Sequence, residues 1–153
     1  MVFYCDTSAL IKRYSIETGS RWLTNLCDPR NGNTIFTATI TKVEAAAALA
    51  SKRRQKSVSA KIYQQALADL SHDFVHEYAL VPVDMPLIEA AVTLTTRQKL
   101  RGYDAVQLAA AQTIQSTLSA AQLPPLTFLT ADVELLTAAI NKGLMTDNPT
   151  LYP

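Results

Sequence analysis

Two cysteines, two histidines and no run of apolar residues long enough to span a bilayer leave several classes of protein out of consideration. Cys5 and Cys27 are too far apart for a C-x-x-C metal or redox motif and too few for a disulfide scaffold. Both read as reduced core thiols of a cytoplasmic protein. Only Val2 to Cys5 precede the first charge, too short for the apolar region of a signal peptide, so secretion is not expected. Residues 105 to 131 carry no charge, but Gln107, Gln112, Gln115, Gln122 and the Pro124-Pro125 pair interrupt them. They suit an Ala-rich core helix and a turn better than a membrane span. Neither G-x-x-x-x-G-K-[ST] nor G-x-G-x-x-G occurs, so no nucleotide-binding loop of those types is expected. His72 and His76 stand one helical turn apart, a spacing that can bind zinc. The motif there is His-Asp rather than the His-Glu that opens the metalloprotease signature, and the chain has no further histidine for a third ligand.

The net charge of +1 exerts no strong pull on an anionic partner, so the distribution of charge carries more information. Between Lys42 and Lys61 stand Lys42, Lys52, Arg53, Arg54, Lys56 and Lys61 against the single acid Glu44, a pattern that fits either a solvated helix face or a phosphate-holding patch. Trp22, Leu23 and Leu26 in "SRWLTNLC" fit either core or a partner groove.

At 153 residues, 48% of them hydrophobic, the chain can bury the core of one domain spanning residues 1 to 153. Short apolar runs at Val2 to Cys5, Thr34 to Ala38, Leu80 to Val83 and Leu126 to Leu129 predict buried strands. Helical patterns fill residues 41 to 54, 57 to 78, 86 to 100, 104 to 121 and 131 to 142. Pro86 lies in the first turn of one, and Gly143 ends the last. Strands separated by helices need crossover connections, which favours an α/β fold with a parallel sheet and helices on both faces.

Four acids stand at predicted helix starts: Asp6 after the first strand, Glu44 after the second, Asp104 at the long Ala-rich helix and Asp132 after "LTFL". Each has a local explanation. Thr41 and Glu44 match a capping box, Asp104 with Gln107 could form another, Asp132 could serve a helix dipole, and Asp6 could cap a short first helix. Together they would meet at the sheet edge where open parallel sheets place ligands. Crowded carboxylates raise one another's pKa until a proton or cation intervenes, and an all-oxygen set suits Mg²⁺ or Mn²⁺ better than zinc. A haloacid-dehalogenase-type phosphatase would want an aspartate where Ser8 stands, and a receiver domain would want an acid pair near the end of the first strand.

"YCDTSALIKRY", "TKVEAAAAL", "LRGYDAVQLAAA" and "FLTADVELLTAAINKGL" resemble, in order, the four signature segments of PIN-domain ribonucleases. With no appended domain, the chain is most similar to a VapC-type toxin of a VapBC toxin-antitoxin pair. The resemblance implies a PIN-like three-layer fold, its central parallel sheet of four to five short strands flanked by helices. It also implies a Mg²⁺- or Mn²⁺-dependent endoribonuclease. Asp6, Glu44, Asp104 and Asp132 would hold the metal and serve catalysis, with the hydroxyls of Ser8 and Thr130 in support. Gln107 stands where many relatives have histidine, a peripheral departure on this reading. Lys42, Lys52, Arg53, Arg54 and Lys56, with Arg97, Lys99 and Arg101 as a second set, are candidates for the RNA backbone path. The implied partners are RNA, a small VapB-like antitoxin and a second copy of the chain, with no membrane. Two alternatives stay open: a non-catalytic RNA- or protein-binding scaffold of the same fold, and a stand-alone processing nuclease.

Overall fold

The computed structural model describes residues 1–153. The elements run β1 (Val2–Cys5), α1 (Thr7–Leu10), a 3-10 turn (Ile11–Arg13), α2 (Ser20–Leu26), β2 (Thr34–Ala38), α3 (Thr41–Arg54), α4 (Ala60–His76) and β3 (Tyr78–Val81). They continue through α5 (Met85–Arg97), α6 (Gly102–Ala120), β4 (Thr127–Leu129), α7 (Val133–Asn141), β5 (Met145–Asp147) and a final 3-10 turn (Pro149–Leu151). All five strands are parallel, in the order β3-β2-β1-β4-β5. The chain steps outward from β1 to β2 and β3, then crosses through α5 and α6 to β4 on the other side of β1. The direction of winding therefore reverses between β1 and β4, the position at which such sheets bind ligands.

Side-chain alternation along β1 divides the core into two layers. Tyr4 faces α5, α6 and α7, where it stacks on Phe128 with ring centroids 5.5 Å apart under the small residues Ala105, Ala109 and Ala110. Phe3 and Cys5 face the opposite layer, against Ala9 and Leu10 of α1, Leu23 and Leu26 of α2, Ala45 and Leu49 of α3, and Leu70 and Phe74 of α4. This is the α/β three-layer arrangement expected from the sequence, with the upper of the expected strand numbers. No helix is long and apolar enough to cross a membrane.

Several boundaries differ from expectation for reasons that lie across the fold. The third strand begins and ends two residues early because Tyr78 registers with Ile35 of β2. The Tyr78 hydroxyl also sits within hydrogen-bond distance of that of Tyr14, which donates to Asp73 at 2.7 Å; Arg13 Nε stands 3.1 Å from the same carboxylate. That buried cluster anchors the start of β3. The helix before it is correspondingly shorter, opening with Ser59 Oγ accepting from Ile62 N. Leu23 and Leu26 are core, Trp22 stacks on Tyr152 at 4.2 Å, and both cysteines are buried free thiols.

The same C-terminal region presses on Gly19, whose φ is +89°; a Cβ there would stand 2.3 Å from the Pro149 carbonyl oxygen. Gly19→Ala is expected to cost more than about 1 kcal/mol, because the left-handed backbone and the carbonyl both reject a side chain. Chemical denaturation measures this, and loss of the Trp22–Tyr152 stack should appear with it as a change in tryptophan fluorescence.

Candidate active site

Asp6 leaves β1 at the point where the winding reverses. Its amide still donates to Leu129 O of β4 at 3.1 Å, so the residue is fixed by the sheet before its side chain makes any contact. The carboxylate then caps α1 by accepting from Ala9 N at 2.8 Å. It also accepts from Thr130 Oγ1 at 2.8 Å and from Ser8 Oγ at 2.9 Å, while Ser8 Oγ in turn accepts from Ala131 N at 2.8 Å. The two supporting hydroxyls expected from the sequence are therefore in contact with this acid. Asp6 is only 4% exposed, and burial raises its pKa to about 6 despite the hydrogen bonds from Ala9, Thr130 and Ser8 that pull it down.

Glu44 does not act as the expected capping-box partner. Ile40 precedes α3 with no side-chain cap, and Thr41 is fully buried with its hydroxyl 2.9 Å from that of Thr37. Released from the local cap, Glu44 Oε2 accepts from Thr7 Oγ1 and, at 2.9 Å, from Gln107 Nε2. Gln107 is likewise no capping-box residue. It is buried, its Oε1 accepts from Tyr4 Oη at 2.8 Å, and its Nε2 also reaches Thr41 Oγ1 at 2.9 Å. The position read as peripheral is thus the hub that joins β1, α3 and α6. Thr7 and Tyr4 belong to the same network; the only sequence signal for them was a place within two residues of Asp6.

Asp104 lies in the first turn of α6 and is half-buried; Arg101, rather than Asp104, occupies the cap position. Its pKa is raised by burial and then by the negative charge of Asp132, with Arg101 opposing and Glu44 adding to the rise. Asp132 caps α7, accepting from Leu135 N at 3.0 Å, and its own amide donates to Thr130 Oγ1. Asp104 therefore feels two of the other three acids, Asp132 and Glu44, and Thr130 links Asp132 to Asp6.

The four acids share one sheet edge, but they do not form a ready coordination sphere. No three of the chain's His, Cys, Asp and Glu side chains are grouped closely enough to hold a metal ion. The physical reason is visible in the hydrogen bonds: Asp6 and Asp132 are each committed to a helix amide, and Glu44 is committed to Thr7 and Gln107. The donor chemistry, all carboxylate and hydroxyl oxygen, suits a hard divalent cation. The spacing does not; a cation would have to draw these groups together.

The basic candidates divide by position. Lys42 stands near Glu44, with its ammonium 5.9 Å from the centre of the Phe74 ring. Lys52 is drawn into an ion pair with Glu17 at 3.2 Å. It lies about 12 Å along α3 from Glu44 at the helical rise per residue, with Arg53, Arg54 and Lys56 at that same far end. Arg97, Lys99 and Arg101 are exposed, immediately before α6 and Asp104, and none of them forms an ion pair. His72 and His76 stack on each other at 4.4 Å without joining any metal-holding group.

No family model and no curated protein matches the chain. Solved structures do. FitAcB from Neisseria gonorrhoeae is similar with a TM-score of 0.65 at 18% identity, over 97% of this chain and 98% of that one. VapC20 from Mycobacterium tuberculosis, a sarcin-ricin loop cleaving toxin, gives a TM-score of 0.59 at 15% identity, over 90% and 95% of the two chains. A toxin-antitoxin complex from Klebsiella pneumoniae gives 0.56 at 18% identity, over 96% and 97%. The likeness extends over nearly the whole of each protein, and with it the chain has the PIN-like three-layer α/β fold that the four sequence segments lead one to expect.

Proposed function

We propose that this chain is an endoribonuclease that hydrolyses RNA phosphodiester bonds with Mg²⁺ or Mn²⁺, and that it is the toxin of a toxin-antitoxin pair held in check by a small antitoxin. The observation that carries the reading is Asp6: a buried acid at the reversal point of the sheet, flanked by Ser8 and Thr130, with three further acids on the same edge. Its burial is costly for the fold and is hard to account for by capping a helix of only four residues. The structural likeness to toxin chains supports the partner assignment, and a second copy of the chain is part of the same proposal.

On this reading a bound divalent ion would supply charge stabilisation to the phosphate and a more acidic water. The chain's own groups do the positioning. Thr130 and Ser8 fix the Asp6 carboxylate, Gln107 and Thr7 aim Glu44, and the α7 amide of Leu135 holds Asp132. Asp104, half-buried and raised in pKa by burial and then by Asp132, can accept a proton from an attacking water. Arg97, Lys99 and Arg101 border that side of the edge and can hold phosphates without reading sequence.

The spacing of the acids favours a second reading, a non-catalytic RNA- or protein-binding scaffold, because no three of them are grouped to hold a metal. One assay separates the two. Purified, antitoxin-free protein incubated with single-stranded RNA is expected to cleave it in Mg²⁺ or Mn²⁺ and to stop on addition of chelator. Equal RNA binding with and without metal, and no cleavage in either, would establish the scaffold. If the chain is a toxin, a short reading frame for a small antitoxin is expected immediately beside this one, and its co-expression should restore growth; a stand-alone nuclease would gain nothing from it.

A further inference from the structure

Between α5 and α6 lies a hollow of about 340 Å³ lined by Ile88, Val92, Thr95, Gly102, Tyr103 and Val106. Its walls are mostly apolar, yet Tyr103 is 61% exposed and Val92 52% exposed, so the core does not use them. Tyr103 precedes Asp104 in the first turn of α6, which sets the hollow beside the acidic edge. Arg101 adjoins Gly102 at the rim of the hollow and is exposed and in no ion pair, whereas Lys99 lines a separate recess with Glu134 of α7.

We propose that this hollow is a nucleobase subsite: Tyr103 is the platform on which one unstacked base of single-stranded RNA rests, while Arg101 at the rim holds a neighbouring phosphate. The proposal rests on the ribonuclease reading for its choice of ligand. Three observations support it. An exposed aromatic ring in an apolar recess is what a base face requires, and such stacking tolerates any base. An exposed arginine at its rim, Arg101, matches the phosphate next to such a base. A second copy of the chain is the poorer occupant, because a two-fold axis centred on this face would bring the two Arg101 side chains together. Tyr103 then acts as a positioning residue, fixing which phosphate lies over Asp104.

The test is a binding measurement that does not depend on cleavage. A short oligouridylate carrying a single 2-aminopurine is titrated with the protein in chelator, and stacking is read as fluorescence quenching. Wild type and Tyr103→Phe are expected to quench, whereas Tyr103→Ala should lose the quench and bind about tenfold more weakly or worse. A Cβ on Gly102 would meet nothing within 4 Å, so Gly102→Leu should fill the hollow and reproduce the loss with Tyr103 intact. In Mg²⁺ or Mn²⁺, KM for RNA should rise in Tyr103→Ala by a similar factor, with kcat less affected. Unchanged quenching in both Tyr103→Ala and Gly102→Leu would overturn the subsite while leaving the nuclease reading in place, as would Tyr103→Ala breaking a dimer without altering RNA binding. Tyr103-dependent quenching in a protein that never cleaves RNA would do the reverse.

Discussion

Asp6→Asn is expected to abolish RNA cleavage and, measured in chelator at neutral pH, to raise the stability of the fold. The two effects have one cause. Burial raises the Asp6 carboxyl from 3.8 to about 6, so at neutral pH the native state carries a buried charge that the unfolded chain keeps in water. A group whose pKa is raised on folding contributes its stabilisation below the unfolded value and loses it as pH rises through the folded one. The wild type therefore forfeits up to about 3 kcal/mol between roughly pH 4 and pH 7. Asparagine forfeits nothing there. It can still accept from Ala9 N, and the Thr130 and Ser8 hydroxyls can turn to accept from its amide. Thermal melts should show the variant several degrees above wild type near pH 7.5, with the gap closing as pH falls through about 6 toward 4. A variant that is inactive but no more stable at pH 7.5 would mean that the acid is fully compensated by its hydrogen bonds and stores no strain for function.

The second large effect is expected at Gln107. Gln107→Leu keeps the volume but strips the acceptor from the Tyr4 hydroxyl and the donor from both Thr41 and Glu44. The Tyr4 hydroxyl is fully buried and finds no water in exchange, while Thr41, also buried, keeps only its bond from Thr37. Each orphaned group costs about 1 to 3 kcal/mol, and a total loss of about 2 to 4 kcal/mol is expected by urea denaturation. Activity should fall as well, because Glu44 is then held by Thr7 alone. Tyr4→Phe provides the graded control: it removes one hydroxyl, leaves Glu44 bound to Gln107, and should cost only about 1 kcal/mol with activity largely kept. If Gln107→Leu lost stability but kept full activity, the orientation of Glu44 would be irrelevant to the reaction.

Much of the edge was legible because its parts are local. β1, the acid that ends it and the hydroxyls beside it lie within a few residues of one another, and Thr130 follows the last core strand directly. The order of the four segments therefore already implied a parallel sheet with its acids on one side. Features set by distant partners were not legible. The start of β3 depends on Ile35 and Tyr14. The apparent capping box at Thr41 and Glu44 dissolves because Gln107, 63 residues beyond Glu44, supplies a buried amide that no local pattern announces. Helices α1 and α2 are too short for periodicity to reveal. The basic cluster at Lys52 to Lys56 looked close to Glu44 in sequence, whereas the straight axis of α3 carries it to the other end. The cation that acts on Asp104 is instead Arg101, in the connection between α5 and α6.

The bond between Asp6 and Thr130 closes a separation of 124 residues. Translation must therefore deliver nearly the entire polypeptide before the first acid meets its hydroxyl partner, and no amino-terminal fragment can assemble the edge early. While the chain is still emerging, α1 and α3 can form with their carboxylates loose in solvent. Competence arrives late and all at once, when β4 slides in beside β1.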